Sequence, residues 1–421
     1  MSPTSLREPV VVIGNGMAAA KFCEELTALA PERFALTVIG AEPHLAYNRV
    51  LLSSLLAGEV AAADLTLQDE GWWAARGITL RLGCPAVAVD TEARQVRLAD
   101  GTALSYGKLV LATGSSAIRL PVPGMERPGV MTFRDMADVE ALLAAARPGL
   151  RAVVIGGGLL GLEAATGLAG AGAETAIIHL ADRLMERQLD ERAGELLRRA
   201  VEARGIAVHL DAATQAIEGD GRVEGLRLAD GRVLPADLVV VACGVKPNVE
   251  LARAAGIGCT RGIRVDDHLA TDAPDVFALG ECAEHRGQVY GLVEPAYEQA
   301  RVLARRLAGA AAAYAGSVLA TNLKVSGVHV FSAGDFLGAG GTQDMVLADP
   351  GLGLYRRLVL RTDGGETRLV GAVLFGDTTD GLFYLDLMRS GRDVGAARAA
   401  LAFGRAYLAP DLSTQSLPEA A

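Results

Sequence analysis

No two of the five cysteines, Cys23, Cys84, Cys243, Cys259 and Cys282, stand in a C-x-x-C or any other close pair. Disulfide exchange, zinc ribbons and iron–sulfur clusters all need such pairs or quartets, so this spacing excludes three chemistries at once and no metal is expected. Isolated, mostly apolar-flanked cysteines behave as small hydrophobes in a reducing compartment, and a cytoplasmic location is expected. Long apolar runs are missing as well. Hydrophobic residues make up 51% of the chain, yet no stretch of about 18 residues is free of a charge or a glycine break, which excludes a transmembrane helix. The richest run, Leu238 to Val245, is the size of a strand. The opening MSPTSLREPV has no apolar signal core. Basic charge is also short: 40 Lys and Arg against 50 Asp and Glu leave a net charge of −10. That balance argues against nucleic acid and against an anionic membrane surface. There is no low-complexity tail, and Ala308 to Ala315 reads as alanine-rich helix or linker.

What the chain does have is one pattern written twice. Pro9-Val-Val-Val-Ile-Gly-Asn-Gly-Met-Ala-Ala19 is an apolar run ending in Gly14-x-Gly16-x-x-Ala19, and Arg151-Ala-Val-Val-Ile-Gly-Gly-Gly-Leu-Leu-Gly161 ends in Gly156-x-Gly158-x-x-Gly161. Alone, either is weak evidence, because loops use glycine freely. Each, however, follows a buried-strand pattern and opens a helix pattern, Ala18 to Leu29 and Leu159 to Ala171. In that setting the first glycine makes a tight turn, the second lets backbone reach a pyrophosphate, and the third position packs helix on strand. Two dinucleotide sites in one chain suggest electrons passing from one dinucleotide to another.

With 421 residues, the chain should hold two or three domains. The first unit reads strand (Val10–Ile13), helix (Ala18–Leu29) and strand (Ala35–Ile39). Glu42, just past that second strand, is the acid expected about 20 residues beyond the glycines to hold an adenosine ribose. A helix pattern with Arg49 at its start follows over Ala46 to Leu56, then a hairpin with turns at Asp90-Thr-Glu and Asp100-Gly101. The strand from Lys108 closes the unit in the Ala112-Thr113-Gly114 turn. The second unit repeats the plan: glycine loop, strand Glu174–Leu180, a hairpin with Asp220-Gly221 and Asp230-Gly231, and a closing strand up to Gly244. Its ribose-sensing place holds His179, where an acid would mean NADH, with Arg183 and Arg187 nearby to meet the 2′-phosphate of NADPH. A further strand and turn over Thr271 to Glu281, a helix over Glu294 to Leu307 and strands at Tyr355–Arg361 and Arg368–Phe375 complete the chain.

Gly14-x-Gly16, Ala112-Thr113-Gly114, Gly156 to Gly161, Gly244-Val-Lys-Pro-Asn248 and Thr271…Gly280-Glu281, in that order, resemble the two-dinucleotide flavoprotein reductases, the superfamily of glutathione reductase and rubredoxin reductase. The resemblance runs over about residues 8 to 310. It implies an α/β fold with two Rossmann-like dinucleotide-binding domains, the second inserted in the first, plus a C-terminal α+β domain. The expected boundaries are 1–118 and 246–312 for the FAD-binding domain, 119–245 for the NAD(P)H-binding domain and 313–421 for the C-terminal domain. It implies FAD on Gly14, Gly16, Met17, Ala18, Glu42, Arg49, Val87, Ala112, Thr113, Gly114, Gly280, Glu281 and Leu292. The nicotinamide dinucleotide would lie on Gly156, Gly158, Leu159, Leu160, Gly161, His179 and Gly244. Glu281 departs from the superfamily, which usually has Asp there. Hydride transfer asks the protein mainly for position, nicotinamide C4 about 3–3.5 Å from flavin N5. Arg49 and Glu163 are expected to form an ion pair near N5, and the helix beginning at Leu292 to face flavin N1/O2 with its N-terminus. Superfamily members that reduce disulfides or peroxides carry cysteine on the Arg49 helix. This chain has none there, which excludes both activities.

Tyr47-Asn-Arg-Val-Leu-Leu-Ser53, Leu184-Met-Glu-Arg-Gln-Leu-Asp190, Gly280-Glu-Cys-Ala-Glu-His285 and Leu323-Lys-Val-Ser-Gly-Val-His-Val-Phe-Ser-Ala-Gly-Asp335 look like the front half of the large subunit of assimilatory NAD(P)H nitrite reductase. They look equally like the flavoprotein reductase component of assimilatory nitrate reductase. Nitrite reductase large subunits continue into iron–sulfur and sirohaem regions, and this chain ends at Ala421 with no such cysteine set. The expectation is therefore a stand-alone donor passing electrons from NADH through FAD to a nitrate or nitrite reductase subunit, with NADPH left open. The alternatives are a reductase for a small iron–sulfur protein (ferredoxin or rubredoxin) of an oxygenase system, and a slow-turnover flavin-binding sensor. A homodimer is left open.

Overall fold

The computed structural model describes residues 7–325, 328–349 and 351–408, so Ser326 and Gly327 of the last motif lie outside the described residues. The chain divides into two compact units. One takes the chain up to Ile118, Arg134–Glu140 and Gly244–Ser317; the other takes Arg119–Phe133, Ala141–Cys243 and the chain from Val318 onward.

In the first unit, Glu8–Ile13 lies at the centre of a five-stranded parallel sheet. Phe34–Ile39 and then Thr79–Arg81 flank it on one side, Lys108–Leu111 and then Val276–Ala278 on the other. A parallel strand covered on both faces must be apolar throughout, and Val10, Val11, Val12 and Ile13 are all buried. Val10 and Val12 pack under the helices Met17–Leu29 and Val293–Leu307 with Phe22, Leu26, Leu303 and Leu307. Val11 and Ile13 face the opposite layer, where Val96 and Leu98 of a three-stranded sheet meet Ala252 of the helix Glu250–Ala254. The helix expected over Ala46 to Leu56 shrinks to one 3₁₀ turn, Arg49–Leu51, and the short helix Leu52–Leu56. Its first residues are held extended instead: Tyr47 bridges Thr66, and the amide of Asn48 donates to Leu65 O at 2.7 Å.

Cys23 and Cys282 are fully buried in these two layers. Burial pushes the Cys23 thiol up to about 12 and the Cys282 thiol upward as well, so neither forms a thiolate at neutral pH. Titration of the native protein with Ellman's reagent should leave these two thiols silent and release them on denaturation. Rapid labelling of either one in the native protein would contradict this packing.

The second unit repeats the order. Arg151–Ile155 is central, with Glu174–Ile178 and Ala207–His209 on one side and Leu238–Val241 and Val130–Thr132 on the other, all parallel. A three-stranded sheet, Thr214–Glu218, Gly225–Leu228 and Val233–Pro235, covers Val153, Ile155 and Val239. The C-terminal part of the unit is a five-stranded antiparallel sheet in the order Ala320–Val325, Val328–Gly334, Glu366–Phe375, Leu354–Asp363, Thr342–Asp349. The helix Gly381–Ser390 packs on it through Tyr384, Leu385 and Leu387.

One buried carboxylate joins the two parts of this unit. Asp190 caps the helix Glu191–Glu202 by accepting from Ala193 N at 2.9 Å. It also accepts from the Tyr355 hydroxyl at 2.5 Å and from Arg357 at 3.2 Å, both on the strand Leu354–Asp363. Burial, reinforced by the Asp190 carboxylate, pushes the Tyr355 hydroxyl upward and keeps it a donor. Asp190→Ala removes a cap and leaves Tyr355 and part of Arg357 unpaired, an expected loss of about 2–4 kcal/mol in urea denaturation, against about 1 kcal/mol for Tyr355→Phe. Equal, small losses in the two variants would contradict the junction.

Candidate functional site

The two glycine loops divide their labour in the same way. Gly14 holds φ +116, and a Cβ there would run into the carbonyl oxygen of Ala112; Gly156 holds φ +122 and would run into that of Ala242. Both amides donate at 2.8 Å to the end of the neighbouring strand, at Ile39 O and Ile178 O. The second glycine is different. Gly16 and Gly158 are extended residues at the caps of the helices Met17–Leu29 and Leu159–Gly170, and a Cβ on either would meet nothing within 4 Å. No side chain caps either helix, and neither first turn carries an acid. The third position closes each loop: Ala19 is fully buried, and a Cβ on Gly161 would strike the carbonyl oxygen of Gly156. Amides at the start of each helix, among them those of Met17, Ala18, Leu159 and Leu160, therefore open onto free space with the positive end of the helix dipole behind them. Asn15, inside the first loop, adds a buried Oδ1 with no hydrogen-bond partner. The open amides fit two pyrophosphates, one on each loop, whereas the Asn15 oxygen, an acceptor, suits a ligand donor such as a ribose hydroxyl.

Polar side chains gather beside the first loop. Gly280, at φ +79, sets its Cα so that a Cβ would lie 3.0 Å from Ala18 Cβ, which brings Glu281 next to the loop helix. The Gly280 amide is fixed by Gln299 Oε1 at 2.8 Å. Glu281 accepts from Ser115 Oγ at 2.7 Å and pairs with Arg134, which also donates to Ser115 Oγ at 2.8 Å. Arg134 comes from the short segment Arg134–Glu140 that returns to this unit, and its carbonyl accepts from Arg49 at 3.2 Å. Sequence reading missed Arg134, since nothing local marks an arginine between two units. Glu42 lies just past Phe34–Ile39 as expected, and its two oxygens take the Tyr47 hydroxyl at 2.7 Å and the Arg49 guanidinium. Arg49 also stacks on the Tyr47 ring at 4.7 Å. Burial pushes the Tyr47 hydroxyl far above its ordinary range, which keeps it a donor. The Ala112-Thr113-Gly114 turn is stapled by Asn248: Thr113 Oγ1 donates to Asn248 O at 2.7 Å, and Asn248 Nδ2 donates to Thr113 O at 2.9 Å. Gly114 and Gly244 hold φ +65 and +115, and Gly244 lies in the first unit at the crossing, where its carbonyl accepts from Ile118 N. Val87 is exposed on the strand Ala86–Asp90, and Leu292 caps Val293–Leu307.

In the second unit His179 follows the strand Glu174–Ile178, and its ring lies on Gly157, where a Cβ would come 2.8 Å from His179 Cγ. Glu163 is half-buried on Leu159–Gly170. Arg49 and Glu163 thus belong to different units, and inside its own unit Arg49 is paired with Glu42. Among the described residues no group of three or more His, Cys, Asp or Glu side chains is placed to hold a metal, and no helix is long and apolar enough to cross a membrane.

A duplicated parallel sheet with an open glycine at an uncapped helix start in each copy defines a two-dinucleotide oxidoreductase, and the chain belongs to the pyridine nucleotide-disulphide oxidoreductase family, whose model matches residues 8–300. It is an α/β oxidoreductase of the kind that uses FAD and NAD(P)H. Residues 320–392 match the rubredoxin NAD+ reductase C-terminal domain. The chain is 46% identical to nitrite reductase [NAD(P)H] of Bacillus subtilis (strain 168) over 92% of its own length and 48% of that protein's. It is 42% identical to the assimilatory nitrate reductase electron transfer subunit of the same organism, over 93% and 50%. It spans about half the length of these curated relatives. Among solved structures, a ferredoxin reductase from Rhodopseudomonas palustris superposes with a TM-score of 0.85 at 30% identity, over 94% of this chain and 97% of that one.

Proposed function

We propose that the chain carries electrons from a nicotinamide dinucleotide through FAD to a partner oxidoreductase of nitrite or nitrate assimilation. The observation that carries this reading is the pair of open second glycines, Gly16 and Gly158, each at an uncapped helix start. The relatives supply the direction of flow, because the two at 46% and 42% identity act in nitrite and nitrate reduction by name and match the C-terminal sheet as well. FAD, when bound, would supply the two-electron carrier between a hydride donor and an acceptor. The chain's own residues bind and orient. The amides after Gly16 hold one pyrophosphate and those after Gly158 the other, Arg134 and Ser115 fix Glu281 beside the first, and Arg49 and Glu163 are the charged residues assigned to the reacting rings. The compartment in this reading is the cytoplasm. Isolated buried thiols agree with it.

A small iron–sulfur acceptor is the second reading, supported by the full-length match to a ferredoxin reductase. An anaerobic reconstitution separates the two. NADH-reduced protein should transfer electrons to a nitrite or nitrate reductase catalytic component faster than to a ferredoxin or rubredoxin. The reverse order would favour the oxygenase-type acceptor.

A further inference from the structure

His179 stands where a strand end brings an acid to the adenine ribose in dinucleotide-binding domains. Its ring is spoken for on both sides. The Gly157 amide donates to Nδ1 at 3.0 Å, and Nε2 lies 2.9 Å from Glu186 Oε2. A backbone amide can only donate, so Nδ1 is the acceptor, the ring proton sits on Nε2, and that proton is given to the Glu186 carboxylate. The intervening chain is shaped for this. Met185 is fully buried in the left-handed region at φ +53, and its amide donates to Gly157 O at 3.0 Å. Residues 179–186 thus close twice on the middle residue of the glycine loop, and they leave Glu186 on the far side of the imidazole from it, about one-third exposed. Of the two cations expected to meet a 2′-phosphate, Arg183 is committed elsewhere. Arg183 donates to Leu189 O at 3.2 Å and to Asp182 at 2.9 Å, and its stem covers Gly194. Arg187 reaches Glu186 at 3.6 Å with its side chain 86% exposed.

We propose that Glu186, held by His179, is the specificity-determining acid of the nicotinamide dinucleotide site. It accepts from the 2′- and 3′-hydroxyls of the adenosine ribose and turns away the 2′-phosphate of NADPH by like charge. This rests on the reading that the Gly156–Gly161 loop binds a nicotinamide dinucleotide. Sequence position hides the residue, because the acid comes seven places after the strand-end histidine and is folded back by a left-handed methionine.

The test is calorimetric binding of NAD+ and NADP+ to the FAD-loaded protein and to Glu186→Gln, with flavin bleaching by NADH and NADPH measured alongside. The expected result is tighter binding of NAD+ than of NADP+ by the natural protein. Glu186→Gln should narrow that gap by about ten- to a hundredfold, with the loss for NADH in KM rather than in kcat and an unchanged flavin spectrum. NADP+ binding as tightly as NAD+ to the natural protein, an unchanged gap in Glu186→Gln, or equal weakening of both dinucleotides would each overturn the assignment of Glu186 alone. Binding of neither dinucleotide to the natural protein would overturn the functional reading and take this inference with it.

Discussion

Gly158→Ala should slow reduction by the nicotinamide dinucleotide about 10²-fold or more while the protein keeps its FAD and its fold. In the bare chain a Cβ on Gly158 meets nothing within 4 Å, and the residue sits at φ −85, a backbone any residue adopts. The methyl group therefore strains nothing, and the change of helix cap costs at most about 1 kcal/mol. The space it fills is that of the pyrophosphate, and displacing a bound reactant by about 1 Å costs about 10²-fold in rate. Gly161→Ala is the contrasting variant. Its Cβ strikes the Gly156 carbonyl, so the loop itself must move, and an overpacking loss of about 1–3 kcal/mol should accompany the loss of reduction. Stopped-flow bleaching of the flavin and urea denaturation read the two effects separately. Loss of FAD from Gly158→Ala would mean that the two loops have exchanged roles.

That contrast also shows what was legible beforehand. The glycine loops and both sheets were readable because apolar strands buried on two faces are continuous runs, and because turn geometry restricts Gly14 and Gly156 to glycine. The Asp-Gly turns marked the side sheets in the same way. What stayed hidden is decided by tertiary structure. The helix pattern from Ala46 yielded to pairing of Tyr47 with Thr66, and its apolar spacing carried no sign of that partner. Arg134 enters the first unit from a segment flanked by second-unit residues. The place of Glu42 just past the second strand was readable from its distance to the glycines, but its pairing with Arg49 and Tyr47 was not, because Tyr47 lies in the extended stretch that the helix pattern concealed and Arg49 opens the 3₁₀ turn after it.

Arg134→Gln carries the second large effect. The arginine joins Glu281 and Ser115 beside Ala18, and its carbonyl receives Arg49, so one side chain and its backbone organise two charged residues near the first loop. The side chains of Arg134 and Glu281 are 16% and 22% exposed, which places their pairing between a surface bridge and a fully buried one. Removing the charge leaves Glu281 without its cation next to a pyrophosphate site, and like charge then opposes the anion. A loss of about 1–3 kcal/mol in FAD binding is expected, a rise of about five- to 150-fold in the concentration needed to load the protein. Fluorescence titration of the apoprotein with FAD measures it, and Arg134→Lys should restore part of the affinity. Unchanged FAD binding in both variants would remove Arg134 from the site.

One chain should bind both dinucleotides and move a hydride between them. Anaerobic stopped-flow mixing of the FAD-loaded protein with one equivalent of NADH tests it most directly. The flavin band should be lost within seconds or faster, with one equivalent of NADH consumed per FAD. Bleaching over minutes, or a flavin band untouched by NADH, would contradict it and leave a flavin-binding sensor in its place.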